Sequence, residues 1–142
     1  MKFRNITVMT IVAIIAVVPI IMGFTSSYAI GVKSESSPKT EVLQRVDIHG
    51  TNYQAGMGVV KYAPNQIKPS QVQTGPEMVY IVSGELIYIG LGKPAKTIKA
   101  GDSFQIPLGE AHYSKGGKNG AIVIATWILE KNRPFVKLIN TH

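Results

Sequence analysis

From residue 42 onward the sequence is a series of short runs rich in β-branched and aromatic residues, and Gly or Pro interrupts it every few positions. No segment there keeps the apolar period of an amphipathic helix. Short strands separated by turn residues at this spacing are typical of all-β sandwiches and barrels. The predicted strands are Val42–His49, Gly56–Ala63, Ile67–Gln71, Glu77–Val82, Glu85–Leu91, Lys96–Lys99, Ser103–Ile106, His112–Lys115, Ala121–Glu130 and Phe135–Ile139.

The breaks between these runs are predicted turns, because Gly and Pro supply the backbone angles that turns require. They are Pro64-Asn65, Gly75-Pro76, Ser83-Gly84, Gly92–Pro94, Ala100-Gly101, Pro107–Gly109 and Gly116-Gly117. The chain has 142 residues, enough for one domain with a single core. It contains no Cys, which excludes disulfides, thiolate metal sites and a Cys nucleophile.

The first 29 residues have the parts of a secretory signal. Lys2 and Arg4 precede an apolar run over residues 11–24, and small residues at Ser27 and Ala29 follow it. Cleavage after Ala29 would release the remainder of the chain outside the cytoplasm.

The rival interpretation of this segment is an uncleaved membrane anchor. Residues 6–24 carry no charge, and their number is close to the ~20 residues that cross a bilayer. Residues 30–41 follow as a polar, Ser-rich linker before a domain predicted over residues 42–142. Both interpretations predict an exported domain, and contact with a membrane is expected only through residues 6–24 if they are retained.

The formal net charge of +7 does not predict a nucleic-acid partner. Residues 1–29 hold two of the 15 basic residues and none of the 8 acidic ones, so the remainder carries +5. Its basic residues are scattered and mostly fall in predicted turns, without interleaved aromatic residues. Solvated loop charge is the simpler interpretation, with binding of an anionic surface or ligand as the alternative.

Two strands have apolar residues on both alternate faces, namely Met78–Val82 and the run from Ala121 to Ile128. A strand with one face in water alternates apolar and polar residues, so both faces of these strands should be covered. The strand near residues 42–48, the chain's own termini or a second subunit could supply the cover. We expect a homodimer formed through these sheet faces.

Two motifs carry a family resemblance. The first runs from Gln71-Val-Gln73 through Glu77 to Gly84, and the second runs from Gly101 through Pro107-Leu-Gly109 to His112. Their spacing resembles that of the cupin superfamily, H-x-H, three residues, E, six residues, G, and then G, five residues, P-x-G, two residues, H. The resemblance implies a double-stranded β-helix, or jelly-roll barrel, over about residues 43–140.

The resemblance also implies a site. Members of this superfamily usually bind a metal with two His, a Glu and a third His, and here Gln71 and Gln73 stand at the first two positions while Glu77 and His112 are kept. The resemblance directs these four side chains into the barrel, and we expect Val79, Ile81, Phe104, Ile106, Tyr113 and Trp127 to form the walls.

The two amides weaken the expected metal site. An amide oxygen is a poorer ligand than imidazole for Fe, Mn, Ni, Cu or Zn, so the cofactor is either a divalent metal of unknown identity or none. Without a metal, the four side chains form a polar cluster able to bind a small molecule. Glu77 and His112 are also candidate catalytic residues, as an acid–base pair.

Three functions remain open at this point. They are a module that binds a small molecule or metal ion in the barrel, a metal-dependent enzyme of dioxygenase or isomerase type by analogy with the family, and a structural barrel. His49 is predicted to be a solvated turn residue, and His142 lies at the terminus.

Overall fold

The computed structural model describes residues 36–139, and every regular element in this range is a β-strand. The strands are β1 Thr40–Asp47, β2 Tyr53–Tyr62, β3 Ile67–Gln73, β4 Glu77–Gly90, β5 Lys96–Lys99, β6 Ser103–Ile106, β7 Ala111–Glu130 and β8 Val136–Leu138. The predicted all-β fold class is therefore confirmed. Within this range no helix is long and apolar enough to cross a membrane. The predicted signal or anchor and His142 lie outside the described residues.

The two longest strands, β4 and β7, join the two halves of a curled antiparallel sheet. The second part of β7 pairs with β2 and with the first part of β4, and β1 and β6 continue this half at its edges. The first part of β7 pairs with β3 and with the second part of β4, and β8 and β5 lie at the edges of the other half. The halves face one another because β4 and β7 both bend.

Two predicted turns prove to be bends within continuous strands. The predicted pair Glu77–Val82 and Glu85–Leu91 is one strand, β4, and the predicted pair His112–Lys115 and Ala121–Glu130 is one strand, β7. The register between β4 and β7 shifts at this point, since Gly84 pairs with Ala121 while Leu86 pairs with Gly116. The Gly residues predict turns here, because sequence alone does not show that the partner strand bends at the same place.

Gly84 and Gly120 make this bend possible. Their φ angles are +74° and +76°, in the left-handed region that side chains other than Gly rarely adopt. The backbones also lie so close that a Cβ on Gly84 would overlap the carbonyl oxygen of Gly120. A Cβ on Gly120 would in turn overlap the carbonyl oxygen of Tyr62, so three strands meet at this corner.

Several strand ends differ from the predicted ones. β1 begins at Thr40, inside the predicted linker, and just before it Pro38 is buried and the carbonyl of Ser36 accepts a hydrogen bond from Gln66 Nε2 at 2.8 Å. β3 extends two residues further, to Gln73. Three of the four added positions, Thr40, Glu41 and Gln73, are polar, so local sequence did not favour a strand there.

The inner faces of the two halves form the core. Its larger cluster includes Val60, Val79, Ile81, Leu86 and Val123, all at most 4% exposed. A second cluster at one end contains Ala125, Trp127, Leu129 and Phe135.

The outer face of the β1–β2–β7–β4–β6 half is apolar and uncovered in the described chain. Met78 is 62% exposed, Tyr80 47% and Val82 45%. β1 does not cover these residues, because it pairs edge to edge with β2. The expected homodimer would bury this face and stays a prediction.

Replacing Gly84 by Ala should destabilise the fold more than the same change at Gly92. Both residues have φ near +74°, but a Cβ on Gly92 meets nothing within 4 Å, whereas on Gly84 it overlaps Gly120. We expect a loss of about 1 kcal/mol for Gly92→Ala from backbone strain, and of about 3 kcal/mol or more for Gly84→Ala from strain plus overlap. Chemical denaturation of both variants measures the difference, and equal losses would contradict the close contact.

Candidate functional site

Three of the four predicted site residues line one cavity in the barrel. Gln71 on β3, Glu77 on β4 and His112 on β7 point inward and are 3%, 7% and 2% exposed. The cavity has a volume of about 20 Å³, which holds one water molecule and little more. The complete lining is Val60, Tyr62, Lys68, Gln71, Glu77, Val79, Leu86, Tyr88, Phe104, Ile106, His112, Ser114 and Val123.

His112 is held on both ring nitrogens. Its Nδ1 lies 3.2 Å from the carbonyl oxygen of Glu110, to which it donates, so Nε2 is the acceptor in the neutral ring. The Nε2 amide of Gln71 lies 3.2 Å from His112 Nε2 and donates to it. Burial lowers the pKa of His112, while the hydrogen bond to Glu110 opposes this shift. The lone pair on His112 Nε2 therefore already accepts the hydrogen bond from Gln71.

Tyr88 and Glu110 support the histidine from one side. The Tyr88 ring lies 5.1 Å from the His112 ring, and its hydroxyl donates to Glu110 Oε1 at 2.8 Å. The other Glu110 carboxylate oxygen pairs with Lys93 at 3.0 Å. The hydrogen bond from Tyr88, together with Lys93, lowers the pKa of Glu110. Burial, reinforced by the hydrogen bond to Glu110, raises the pKa of Tyr88. The contacts fix the ring orientation of His112.

Glu77 and Lys68 share the cavity without forming a direct ion pair. Burial raises the pKa of Glu77 to about 7, and the charge on Lys68 opposes this shift. Burial also lowers the pKa of Lys68, whose Nζ donates to Thr40 Oγ1 at 3.1 Å. Both groups thus pay a desolvation cost that their mutual attraction compensates only in part.

Lys68 falls in the predicted strand Ile67–Gln71, but nothing in the sequence indicated that it lines the cavity. It lies on β3, where the pairing with β7 shifts register between Lys68 and Gln71. The irregularity turns Lys68 toward the same side as Gln71, although residues three apart on a regular strand point to opposite faces. No local sequence signal marks this irregularity.

Gln73 is the predicted site residue that does not line the cavity. It is 1% exposed, and neither its Oε1 nor its Nε2 has a hydrogen-bond partner among the described residues. The indole Nε1 of Trp127 is likewise buried without a partner there. Tyr62 and Ser114, which sequence analysis did not single out, do line the cavity and share a hydrogen bond of 2.8 Å.

Three predicted wall residues lie elsewhere. Val79, Phe104 and Ile106 line the cavity as expected, but Ile81 packs into the apolar core. Tyr113 points away from the cavity, because His112 and Ser114 on either side of it face inward. Trp127 belongs to the end cluster with Phe135. His49 is exposed in the turn after β1, as predicted.

The residues of this cavity fit a divalent metal poorly. One imidazole and one carboxylate are the strong donors present, and no group of three or more His, Asp or Glu side chains within residues 36–139 is arranged to hold a metal ion. The Gln71 amide occupies the nitrogen of His112 that would bind the metal. The Lys68 ammonium lines the same cavity and would repel a cation.

A much larger cleft lies across the apolar outer face. Its volume is about 680 Å³. Its lining residues are Gln44, Arg45, Val46, Ala55, Gly56, Met57, Pro76, Glu77, Met78, Gln105, Ile106, Pro107, Leu108, Thr126, Trp127 and Ile128. Glu77 and Ile106 line both the cleft and the interior cavity. The sequence pointed only to an apolar face here, since concavity depends on how β1 and the segment after β6 are placed.

Trp127 lies beneath this cleft, with its indole on the inner face of the sheet, in line with its strand partners Gly56 and Glu77. It fits against β2 because Gly56 has no side chain there, and a Cβ at Gly56 would overlap the indole ring. The Arg45 guanidinium carbon lies 5.9 Å from the centroid of the indole, within the range of a cation–π contact.

Comparisons with known proteins agree on the fold. The sequence profile described as Cupin domain matches residues 58–128. A conserved protein with a double-stranded β-helix domain from Klebsiella pneumoniae is 23% identical, with a TM-score of 0.61, over 76% of this chain and 89% of that one. No curated protein matches this sequence.

Two enzymes are among the similar structures. The DMSP lyase DddQ from Ruegeria pomeroyi is 17% identical, with a TM-score of 0.61, over 78% of this chain and 55% of that one. The polyketide cyclase RemF from Streptomyces resistomycificus is 17% identical, with a TM-score of 0.55, over 74% of this chain and 82% of that one. At this level of identity the likeness shows the fold alone.

Replacing Glu77 by Gln should change how stability depends on pH. A carboxyl pKa raised to about 7 from 4.5 means that the folded chain binds the proton more tightly than the unfolded chain. The contribution of Glu77 to stability is therefore present below pH 4.5 and is lost as the pH rises to about 7. Relative to the parent, Glu77→Gln should gain on the order of 3 kcal/mol of unfolding free energy across this window.

Urea denaturation at a series of pH values measures this difference. Glu41→Gln is the matched control, since Glu41 is an exposed glutamate on β1. If the unfolding free energies of Glu77→Gln and the parent differ by the same amount at every pH, Glu77 is not desolvated as described.

Removing Lys68 should help an engineered metal site. Gln71→His with Gln73→His restores the imidazoles that the family pattern implies, but Lys68 still opposes a cation. Adding Lys68→Met to this pair should raise the affinity for Zn²⁺ or Co²⁺ by about tenfold or more, measured by competition with a chelator. Equal affinities of the double and triple variants would mean that the Lys68 charge does not repel a metal ion bound at this site.

Proposed function

Since this chain belongs to the cupin family, we propose that it is an exported cupin that binds a small molecule in the outer cleft, with the barrel interior serving as a scaffold. The observation that carries this proposal is the contrast between the two spaces, about 20 Å³ inside the barrel and about 680 Å³ outside it. Ligand pockets commonly have volumes of ~300–1,000 Å³.

The chemistry of the interior supports the scaffold role. Gln71, His112 and Glu110 form a chain of hydrogen bonds that leaves the imidazole fully engaged. A buried polar network of this kind fixes the packing of the strands that supply it. A substrate entering the barrel would have to break these contacts and displace Lys68 or Tyr88.

The lining of the cleft supports the binding role. Most of its wall is apolar, with Met57, Met78 and Ile128 from three adjacent strands, and Gln105 and Thr126 add single polar groups. A mainly apolar pocket with a few polar groups is the usual composition of a small-molecule site. Met side chains adapt to ligand shape, because their unbranched chains have several rotatable bonds.

The location proposed for this activity is outside the cytoplasm. Lys2 and Arg4, the apolar run at residues 11–24 and the small residues before Ala29 support export, whether the segment is cleaved or retained as an anchor. The lack of Cys is compatible with this location, because the sheet buries a core without disulfides.

Binding of a neutral apolar fluorophore tests the proposal. N-phenyl-1-naphthylamine should bind the purified full chain, and Thr126→Glu should weaken this binding by about tenfold or more, because a carboxylate would be desolvated in the middle of the cleft. Thr97→Glu is the matched control, since Thr97 is exposed on β5 in the other half of the sheet. Fluorescence titration measures each affinity, and the N-terminal segment contributes equally to all variants.

A second variant distinguishes binding in the outer cleft from binding in the interior cavity. His112→Ala enlarges the interior cavity and leaves the cleft wall intact, so it should bind the fluorophore like the parent. Loss of binding in His112→Ala with unchanged binding in Thr126→Glu would place the ligand in the barrel and overturn the proposal. Far-ultraviolet circular dichroism confirms that each variant keeps the β-sheet fold.

A further inference from the structure

We propose that the ligand of the outer cleft is an elongated, uncharged molecule with hydroxyl, carbonyl or amide groups spaced along one edge and hydrocarbon along the other. This inference rests on the proposed function, since it names the class of molecule that the same cleft binds. It depends on which side chains the strand register places next to one another on the outer face of the sheet.

One row of side chains, the polar row, crosses five strands of the outer face. The register pairs Gln44 with Met57, and Met57 with Thr126. It also pairs Thr126 with Met78, and Met78 with Gln105. All five residues line the cleft. Neighbouring strands lie about 4.8 Å apart, so the row is about 19 Å long and its polar members are about 10 Å from one another. A polar group therefore stands at each end of the row and in its middle, with a thioether between each pair.

The polar groups of this row are available to a ligand. Gln44 and Gln105 are exposed, and Thr126 is half-buried. None of these three side chains takes part in a hydrogen bond to another protein group within residues 36–139. Amides and hydroxyls both donate and accept, so each can pair with a hydroxyl, carbonyl or amide group of a ligand. A molecule that lies along the row places polar groups at Thr126 and at one Gln, and hydrocarbon over the Met between them.

The row beside the polar row is apolar. Val46 pairs with Ala55, and Ala55 pairs with Ile128, whose backbone N–H donates to the carbonyl oxygen of Pro76. These residues also line the cleft, and they lie about 7 Å from the polar row because alternate residues of a strand are two rises apart. A ligand wide enough to cover both rows therefore needs one edge with polar groups and one edge of hydrocarbon.

Neither of these two rows contains an ionisable side chain. Arg45 and Glu77 border the cleft, but they stand at inward positions, since Arg45 pairs with Gly56 and Glu77 pairs with the buried Trp127. A charged group laid on either row would lose part of its hydration without an opposite charge to replace it, which is costly. The outer face therefore favours an uncharged ligand over an acid or an amine.

Three compounds with an eight-carbon chain and a polar group at each end test the preference for an uncharged ligand. 1,8-Octanediol, octanedioate and 1,8-octanediammonium are titrated at pH 7.5 into the full chain with N-phenyl-1-naphthylamine bound, and displacement of the fluorophore is measured. The diol should bind about tenfold or more tightly than either charged compound. Binding of the dianion or the dication that equals or exceeds that of the diol would overturn the inference.

Thr126→Val tests the hydrogen bonds of the polar row. Val keeps the shape of Thr and removes its hydroxyl, so the ratio of the diol affinity to the fluorophore affinity should fall about fivefold. Thr97→Val is the matched control, since it makes the same change at an exposed position of β5 and should leave this ratio unchanged. A ratio in Thr126→Val equal to that of the parent would show that the row does not hydrogen-bond the ligand and would overturn the inference.

The outcomes distinguish this inference from the proposed function. Fluorophore binding that Thr126→Glu weakens, combined with failure of either test above, would retain the cleft as a ligand site and reject this class of ligand. No binding of the fluorophore, together with a dimer by light scattering that Met78→Glu dissociates, would identify a second copy of the chain as the occupant and overturn both proposals.

Discussion

The architecture depends on the close backbone contact between Gly84 and Gly120. At this corner β4 and β7 bend together, and the two halves of the sheet come to face one another. Without the bend, the inward residues of the two halves would lie on one extended face and could not enclose a core. The register shift that accompanies it also sets which residues of β4 lie opposite His112 and which lie opposite Trp127, so both the interior cavity and the outer cleft depend on these two glycines.

Much of the architecture could be predicted from local sequence, because strand runs and turn residues are short-range signals. The all-β class and the boundaries of β5 and β6 follow from these local signals, whereas the inward direction of Gln71, Glu77 and His112 was implied by the family resemblance. The continuity of β4 and β7 could not be predicted, because a Gly that ends a strand and a Gly that bends one look the same until the partner strand is known.

Local sequence also fails to predict which residues make up the site. Lys68 enters the cavity only because the pairing of β3 with β7 is irregular between Lys68 and Gln71, a feature decided by the tertiary fold. Tyr62 and Ser114 come from strands far apart in sequence and meet across the barrel. Trp127 has the inward parity expected from sequence, but it lies at the end of β7, where the wall of the barrel is also the wall of the cleft.

The electrostatics of the interior relate two features of the site to function, namely Lys68 in the cavity and Gln at the two positions where the family usually has His. In a barrel that holds a divalent cation, the cation keeps the neighbouring carboxylate ionised and repels any ammonium group. Here Lys68 lines the cavity with Glu77, and burial raises the pKa of Glu77 to about 7 while the charge on Lys68 opposes this shift. The Gln71 amide donates to His112 without requiring a metal, whereas neither polar atom of the Gln73 amide has a partner among the described residues. In the proposed function the interior therefore acts as packing, and the ligand binds on the outer face, where apolar side chains remain exposed.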